Sequence, residues 1–373
     1  MAVITKDQVM STLEGVRDPE LGGNVVELGM ITDVAIDNST VEIGLALTIA
    51  ECPLRSQIEG DTRRRVEAMP GVTTVNIRTT AMTKKQRAEL MSVARRNARE
   101  NAEPTQVAST TRVISIASGK GGVGKSSMSV NIAAGLAAQG FKVGLLDADI
   151  WGFSIPRMIG ATGKLEADGE TKLIEPVVAH GGVKVVSTGL IIESEETALM
   201  WRGLMLSKAL EQFLKQVDWG DLDYLLLDMP PGTGDVQMAL TRMLPQAEMV
   251  VVTTPQSAAQ RVAIRVADMA RRSHMPVVGV IENMSGEVFG TGGGQELADE
   301  LGVPLLGSIP LDQAVVDGGD NGRPVVLNPD SGVAAAALMD AIDRVMAVVP
   351  PADMETCTGR IAKLIADLED GAA

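Results

Sequence analysis

A glycine-rich stretch between residues 119 and 126 carries the clearest chemistry in the chain. It reads Gly-Lys-Gly-Gly-Val-Gly-Lys-Ser and fits the G-x-x-x-x-G-K-S/T phosphate loop at every fixed position. Glycines let successive backbone N–H groups turn toward one oxyanion, and the positive end of a following helix adds to that attraction. Lys125 would reach the β- and γ-phosphates, and the Ser126 hydroxyl would bind Mg²⁺. The predicted nucleotide-binding residues are Gly119, Lys120, Gly121, Gly122, Val123, Gly124, Lys125 and Ser126.

Two aspartates that follow apolar segments could complete such a site. The run 224–227 leads directly into Asp228, which puts a carboxylate at the end of a buried strand, where it can hold Mg²⁺ through a water. The Pro-Pro-Gly-Thr-Gly sequence nearby predicts a loop able to sense a γ-phosphate. Asp149 lies just after the run 143–146 and is the candidate for orienting the attacking water. The alternative is that an aspartate there only caps a turn.

The hydrophobic pattern predicts the elements that must position these residues. From residue 111 onward, apolar runs alternate with helical patterns; the runs cover 112–117, 143–147, 183–188, 224–228, 249–254, 277–282 and 305–309. Runs without polar alternation indicate strands buried on both faces, and hence an α/β fold with a mostly parallel sheet wrapped by helices. Ligands of such sheets bind beyond the carboxyl ends of the strands, where the phosphate loop is expected.

The length of 373 residues predicts more than one domain. Residues 1–82 read as a small α+β domain with a helix over 5–15, strands near 31–36 and 40–49, a helix from 53 to about 69 and a strand over 72–79. The remaining predicted segments are a charged linker with a helical portion (83–110), the α/β domain (111–350) and a C-terminal tail helix (351–373).

Composition excludes several classes of protein. A formal net charge of −15 argues against a protein that binds nucleic acid over a broad surface. The apolar runs are too short and interrupted to span a bilayer, and the N-terminal residues lack the apolar core of a secretory signal. Two cysteines cannot build a disulfide framework. We therefore expect a cytoplasmic protein with neither nucleic acid nor membrane as a partner.

Seven stretches of the predicted α/β domain are similar to the Mrp/ApbC family of iron–sulfur carrier ATPases, within the Min/partitioning class of phosphate-loop proteins. They are residues 118–126, 147–156, 201–210, 228–235, 253–256, 281–285 and 307–312. Residues 18–30 and 48–53 resemble the small iron–sulfur-assembly domain that bacterial members carry in front. The resemblance implies a phosphate-loop NTPase preceded by that small domain.

The resemblance also implies an activity and partners. It implies slow, switch-like hydrolysis of ATP by a homodimer that sandwiches the nucleotides, and transfer of iron–sulfur clusters, with apo iron–sulfur proteins and the assembly machinery as partners. Lys120 would reach across the dimer interface to the nucleotide of the other subunit; its alternative is a solvated loop lysine. Asn283 and the loop at Pro310 would recognise adenine. The implied catalytic residues are Lys120, Lys125, Asp149 and Asp228, with Ser126 and Asp228 holding Mg²⁺.

The chain departs from this family in its cysteines. Most members place Cys-x-x-Cys shortly after Glu-Asn-Met-Ser, and two such pairs across the dimer hold one 4Fe–4S cluster. Residues 281–294 contain no cysteine here, so that bridging cluster cannot be built at this place.

Cys52 is the remaining candidate ligand. It precedes Pro53 at a predicted helix start, where the helix dipole favours a thiolate, although a small buried apolar side chain is the alternative. Cys357 has no supporting pattern. We expect any 4Fe–4S cluster to be labile, to depend on Cys52 and to be completed by ligands from elsewhere. The alternative is a regulatory or positioning ATPase without cluster function.

Overall fold

The structure is a computed structural model that describes residues 4–19, 21, 23–48, 54–100, 102–150, 152–191, 203–232, 235–328 and 332–352. The chain folds as two compact units, Met1–Asn101 and Ala102–Ala373. This division falls inside the stretch 83–110 that the sequence predicts to be a linker; the predicted domain boundaries stay predictions. The predicted tail helix over 351–373 lies almost entirely outside the described residues.

The first unit is a small α+β fold. Its elements are α1 (Lys6–Leu13), β1 (Ile31–Asp37), β2 (Thr40–Leu47), α2 (Arg55–Glu67), β3 (Thr74–Ala81) and α3 (Lys84–Glu100). Strand β2 lies in the middle of a three-stranded sheet, antiparallel to β1 and parallel to β3. Leu13 of α1, Ile58 of α2 and Leu90 of α3 are buried in one core with Ile43 and Leu45 of β2. The helices therefore cover the sheet through their apolar positions.

The second unit contains the remaining elements. Its strands are β4 (Arg112–Ala117), β5 (Val143–Asp147), β6 (Glu166–Ala167), β7 (Ile174–Glu175), β8 (Val177–Val178), β9 (Lys184–Val186), β10 (Tyr224–Asp228), β11 (Glu248–Thr253), β12 (Val277–Ser285) and β13 (Leu305–Pro310). Its helices are α4 (Lys125–Ala138), α5 (Ile155–Ile159), α6 (Gly203–Gln216), α7 (Asp235–Met243), α8 (Ser257–Arg272), α9 (Gly293–Leu301), α10 (Gln313–Asp320) and α11 (Val333–Val348). Short 3-10 turns cover His180–Gly182, Thr188–Leu190 and Val325–Leu327.

Eight of these strands form one sheet in the order β13-β12-β11-β4-β10-β5-β9-β8. Every neighbouring pair is parallel except β8 and β9. The predicted mostly parallel α/β sheet is therefore confirmed, and each of the seven apolar runs overlaps with one of its strands. The run 183–188 yields only a short β9, because a 3-10 turn begins at Thr188. The Ser187 side chain donates to Asp147 at the end of β5, and the Thr188 side chain donates to the carbonyl of Ile150.

Helices bury both faces of this sheet, which explains the apolar runs. Met128 and Ile132 of α4 pack with Leu338 and Ile342 of α11 in one core cluster. The opposite face is covered by α6, α7, α8 and α9 through residues such as Leu214. Each fully buried leucine side chain contributes about 1.5–3 kcal/mol relative to its exposed state.

Within the part of the chain that the structure describes, no helix is both long enough and apolar enough to cross a membrane. The cytoplasmic location expected from the sequence stays a prediction.

Tyr224, the single tyrosine of the chain, offers a test of the packing around β10. Its buried hydroxyl donates a 3.0 Å hydrogen bond to the carbonyl of Val349, just beyond α11. We expect Tyr224→Phe to lower the free energy of unfolding by about 1–3 kcal/mol, because the buried carbonyl loses its donor. Urea unfolding measures this as a lower midpoint at an unchanged denaturant slope. An unchanged midpoint would contradict the role given to this bond.

Candidate nucleotide-binding site

The glycine-rich loop connects β4 to α4 and adopts a backbone that only glycine accommodates easily. Gly122 and Gly124 have φ values of 82° and 81°, in the left-handed region that strains other residues. Gly124 is also the N-cap of α4, and a Cβ atom there would lie 2.1 Å from Asn283 Nδ2. The loop therefore leads into the N-terminus of α4, whose backbone N–H groups favour anions.

Gly119 fixes the other end of the loop. A Cβ atom at this position would lie 2.4 Å from the carbonyl carbon of Val262 and 2.5 Å from the nitrogen of Ala263. Both are backbone atoms of α8, which cannot give way as a flexible side chain could. The close approach of α8 therefore requires glycine at residue 119. The next residue, Lys120, is exposed.

The centre of the site is a cluster around Asp228 at the end of β10. Lys125 Nζ and Ser126 Oγ each donate to Asp228 Oδ2 over 2.7 Å. Ser129 Oγ donates to the other carboxylate oxygen, Oδ1, over 2.6 Å. Lys125 is 7% exposed and Asp228 1% exposed, so this ion pair lies away from bulk water. The structure thus brings together the lysine, serine and aspartate that the sequence analysis selects.

The loop after β5 adds the carboxyl group of Asp149. Asp149 Oδ2 lies 4.0 Å from Lys125 Nζ, and the Gly152 N–H donates to Asp149 Oδ1 over 3.2 Å. Burial raises the pKa of Asp149, and the charge of Lys125 opposes that rise. Its position next to the lysine fits a group near the terminal phosphate of a bound nucleotide.

Asp147 was not selected by the sequence analysis. It is the register partner of Asp228 on the neighbouring strand, and it accepts from Ser187 Oγ over 3.0 Å and from the Asp149 N–H over 3.1 Å. Burial, and next the charge of Asp228, raise the pKa of Asp147 to about 8. Through its hydrogen bond with the Asp149 N–H, Asp147 supports the loop that carries Asp149.

Asn283 and Pro310 lie near the carboxyl ends of β12 and β13, at the same edge of the sheet. Asn283 is 5% exposed and its Nδ2 donates to the carbonyl of Val123 over 2.9 Å. This bond ties β12 directly to the phosphate loop. Pro310 ends β13, where it pairs with Ser285. Their predicted contact with adenine stays a prediction.

Glu282 is a further buried group that sequence reasoning missed. It accepts hydrogen bonds from Ser285 Oγ (2.9 Å), Ser308 Oγ (2.7 Å), the Gly292 N–H (3.3 Å) and the Gly294 N–H (2.6 Å). Burial alone raises its pKa, but these hydrogen bonds together bring the pKa below its ordinary value. Its signal in the sequence is a charged residue at the end of the apolar run 277–281.

The Mrp/ApbC resemblance predicts cysteines in the segment that follows β12. Glu282 holds this segment through the N–H groups of Gly292 and Gly294. Gly286 and Gly290 close this segment by exchanging backbone hydrogen bonds of 2.9 and 2.7 Å. Among the described residues, no group of three or more His, Cys, Asp and Glu side chains could hold a metal ion. Cys52 and Cys357 both lie outside the described residues.

The donor set around Asp228 fits a magnesium ion. The Ser126 hydroxyl and an Asp228 carboxylate oxygen, 2.7 Å apart, are hard oxygen donors of the kind that Mg²⁺ prefers. Mg²⁺ commonly uses one or two such protein ligands together with phosphate oxygens and water. Together with the loop and Lys125, these groups can bind a nucleotide polyphosphate and its metal ion.

Comparisons with known proteins agree with this geometry. The family described as NUBPL iron-transfer P-loop NTPase matches residues 109–346, and the family described as iron–sulfur cluster assembly protein matches residues 6–77. The iron–sulfur cluster carrier protein of Mycobacterium leprae is 44% identical over 355 residues, covering 91% of this chain and 92% of that protein. The iron–sulfur cluster carrier protein of Synechocystis is 42% identical, covering 90% of this chain and 95% of that protein.

Solved structures resemble the second unit. A nucleotide-binding protein of Archaeoglobus fulgidus in complex with ADP is 33% identical, with a TM-score of 0.52, covering 64% of this chain and 95% of that chain. The septum site-determining protein MinD of Pyrococcus horikoshii is similar in fold, with a TM-score of 0.51 at 23% identity; the match covers 63% of this chain and 96% of that chain. With the phosphate loop, the Asp228 cluster and these matches together, the chain belongs to the NUBPL iron-transfer P-loop NTPase family.

Proposed function

We propose that this chain binds and hydrolyses ATP and carries iron–sulfur clusters to apoproteins as a homodimer. The observation that carries the ATPase part is the convergence of Lys125 and Ser126 on Asp228 Oδ2, each over 2.7 Å, beside the glycine-rich loop. The carrier part rests on family membership and on relatives named iron–sulfur cluster carrier proteins.

In the proposed binding step, the Lys125 ammonium group exchanges its negatively charged partner Asp228 for the phosphate oxygens of the nucleotide. In the structure Asp228 holds the ammonium group. A bound triphosphate offers β- and γ-oxygens instead, and the loop N–H groups of residues 119–126 hold the same oxygens. Ser126 directly, and Asp228 through water, hold Mg²⁺, which neutralises phosphate charge when it is bound.

Asp149 is the proposed positioning group for the attacking water. Its carboxylate lies 4.0 Å from Lys125 Nζ, next to where the terminal phosphate is expected. Lys120 is exposed at the tip of the loop, as a lysine that reaches the nucleotide of a second subunit must be. Asn283 Nδ2 is engaged with the loop, which leaves Oδ1 to accept from the adenine amino group.

The proposed cargo site depends on Cys52, in the segment between β2 and α2. The N-cap residue of α2, Leu54, makes no side-chain hydrogen bond to the first turn. The positive end of the helix dipole favours an anion such as a thiolate near this turn. Cys52 is the only one of the two cysteines with a supporting sequence pattern, so other ligands must be supplied from elsewhere, and we expect a labile 4Fe–4S cluster as cargo. The proposed partners are apo iron–sulfur proteins and the assembly machinery.

One observation favours a second function, that of a regulatory ATPase without cluster chemistry. The segment after β12 contains no cysteine and is closed by the Gly286–Gly290 hydrogen bonds. Its anchor Glu282 is buried and fully engaged. Neither feature provides a ligand for iron at the place where other family members have one.

The first test compares the two lysines of the loop. We expect Lys125→Ala to weaken binding of a fluorescent ATP analogue roughly 10- to 100-fold, because the phosphates lose a buried charge-assisted donor. Lys120→Ala is the matched control: the same charge is removed, yet nucleotide affinity is retained while ATP-dependent dimer formation, measured by light scattering, is lost. Wild-type affinity in Lys125→Ala would refute the assignment of the loop.

The second test separates the two aspartates. Asp149→Asn should lower kcat about 100-fold, because the water loses its acceptor, without moving the Mg²⁺ concentration that gives half-maximal hydrolysis. Asp228→Asn should instead raise that Mg²⁺ concentration, because the metal loses a charged partner. The measurement is phosphate release across a Mg²⁺ titration. If the two variants exchange these phenotypes, their proposed roles are reversed.

The third test concerns the cargo. Wild type, Cys52→Ala and Cys357→Ala would be reconstituted side by side with iron and sulfide without oxygen, and iron per dimer counted. We expect iron to be lost in Cys52→Ala and retained in Cys357→Ala, because only Cys52 precedes a helix start predicted from the sequence. A cluster that survives Cys52→Ala contradicts this ligand assignment. Iron in none of the proteins favours the regulatory ATPase.

A further inference from the structure

Ser129 makes a contact with Asp228 that differs from those of its neighbours. Its Oγ donates to Oδ1 over 2.6 Å, whereas Lys125 and Ser126 share Oδ2. Ser129 is fully buried, one turn beyond Lys125 on the same side of α4. The carboxylate is therefore held on both of its oxygens, by donors from two successive turns of one helix.

The hydroxyl hydrogen of Ser129 has two acceptors within reach. The carbonyl of Lys125, one turn earlier, lies 3.2 Å from Oγ, and Asp228 Oδ1 lies 2.6 Å from it. A serine that bonds back to its own helix is common and weak, whereas a short bond to a charged carboxylate is about twice as strong as a neutral one. The interaction with Asp228 therefore dominates.

The three donors to Asp228 change their contacts in different ways when a nucleotide binds. Under the proposed function, Lys125 turns to the phosphates and Ser126 to the metal ion, so both contacts at Oδ2 are given up or shared. Ser129 cannot follow, because it is 0% exposed and one turn deeper in the helix. Its bond to Oδ1 remains the restraint on the carboxylate. Without it, Asp228 could rotate about its last side-chain bond, which has only broad energy wells.

We propose that Ser129 is a positioning residue that holds Asp228 Oδ1 and thereby keeps Oδ2 directed at the Mg²⁺ site. The proposal rests on the proposed function, since it assumes a magnesium nucleotide at this place. Groups that orient metal-binding side chains typically change metal affinity 10- to 100-fold when they are removed. The expected effect on nucleotide binding without metal is small, because Ser129 reaches the phosphate loop through the Lys125 carbonyl, an acceptor that does not bind phosphate.

Another buried serine provides the matched control. Ser115 lies on β4, is 0% exposed, and its Oγ has no hydrogen-bond partner among the described residues. Ser115→Ala also removes a buried serine hydroxyl, here from β4, without breaking a hydrogen bond to Asp228. Ser129→Thr keeps the hydroxyl, and Ser129→Cys keeps the volume with a weaker donor.

The experiment measures ADP affinity by calorimetry, in EDTA and over a series of Mg²⁺ concentrations. We expect Ser129→Ala to need about tenfold more Mg²⁺ for half of the metal-dependent gain in affinity, with wild-type affinity in EDTA. Ser129→Cys should shift in the same direction, while Ser129→Thr and Ser115→Ala should match wild type. Thermal unfolding of each variant shows whether it is folded. If Ser129→Ala does not fold, Ser129→Cys takes its place in the comparison.

A double-mutant cycle distinguishes positioning from a general effect on the helix. In an Asp228→Asn background, Ser129→Ala should cause no further change in the Mg²⁺ requirement. An equal shift in both backgrounds, or an unchanged Mg²⁺ requirement in Ser129→Ala and Ser129→Cys, overturns the proposal for Ser129 alone. A wild-type chain whose ADP affinity does not respond to Mg²⁺ overturns the proposed function and this inference with it.

Discussion

The buried ion pair between Lys125 and Asp228 is the interaction on which the rest of the site depends. Its two charges are 7% and 1% exposed and meet over 2.7 Å. Removing two charges from water costs several kcal/mol each, so a buried pair adds little to stability by itself. The pair is better understood as a prepared state, in which Asp228 holds the lysine until phosphate oxygens offer a stronger negative charge.

This pair exists only because the sheet is parallel and its order places β4 between β10 and β11. Asp228 is in register with Ile116 on one side and with Asp147 on the other. The phosphate loop and the Asp149 loop therefore leave the sheet beside the same carboxylate. Two carboxyl groups this close cannot both ionise cheaply, which is why burial and the charge of Asp228 raise the pKa of Asp147 to about 8.

Much of this arrangement could be predicted from the sequence, because its signals lie within short stretches of the chain. Buried strands read as unbroken apolar runs, the loop has its fixed glycine spacing, and Asp228 stands out at the end of a run. The contacts of Ser129, Asp147 and Glu282 could not be predicted in this way. Each depends on which elements are neighbours in the fold, because the partners Asp228, Ser187 and Ser308 are distant along the chain. Residues 187 and 188 show the same limit, because the apolar pattern alone would continue the strand into a segment where a 3-10 turn begins.

Strand β12 connects the nucleotide site to the segment that distinguishes this chain. Asn283 bonds to the phosphate loop through Val123, and the adjacent Glu282 holds the segment after β12 through Gly292 and Gly294. The two contacts are one residue apart on a strand paired on both sides, so neither can shift without moving the backbone that carries the other. The segment after β12 is therefore held at the strand end by hydrogen bonds to the Glu282 carboxylate, and residues 281–294 need no cysteine to keep this connection to the phosphate loop.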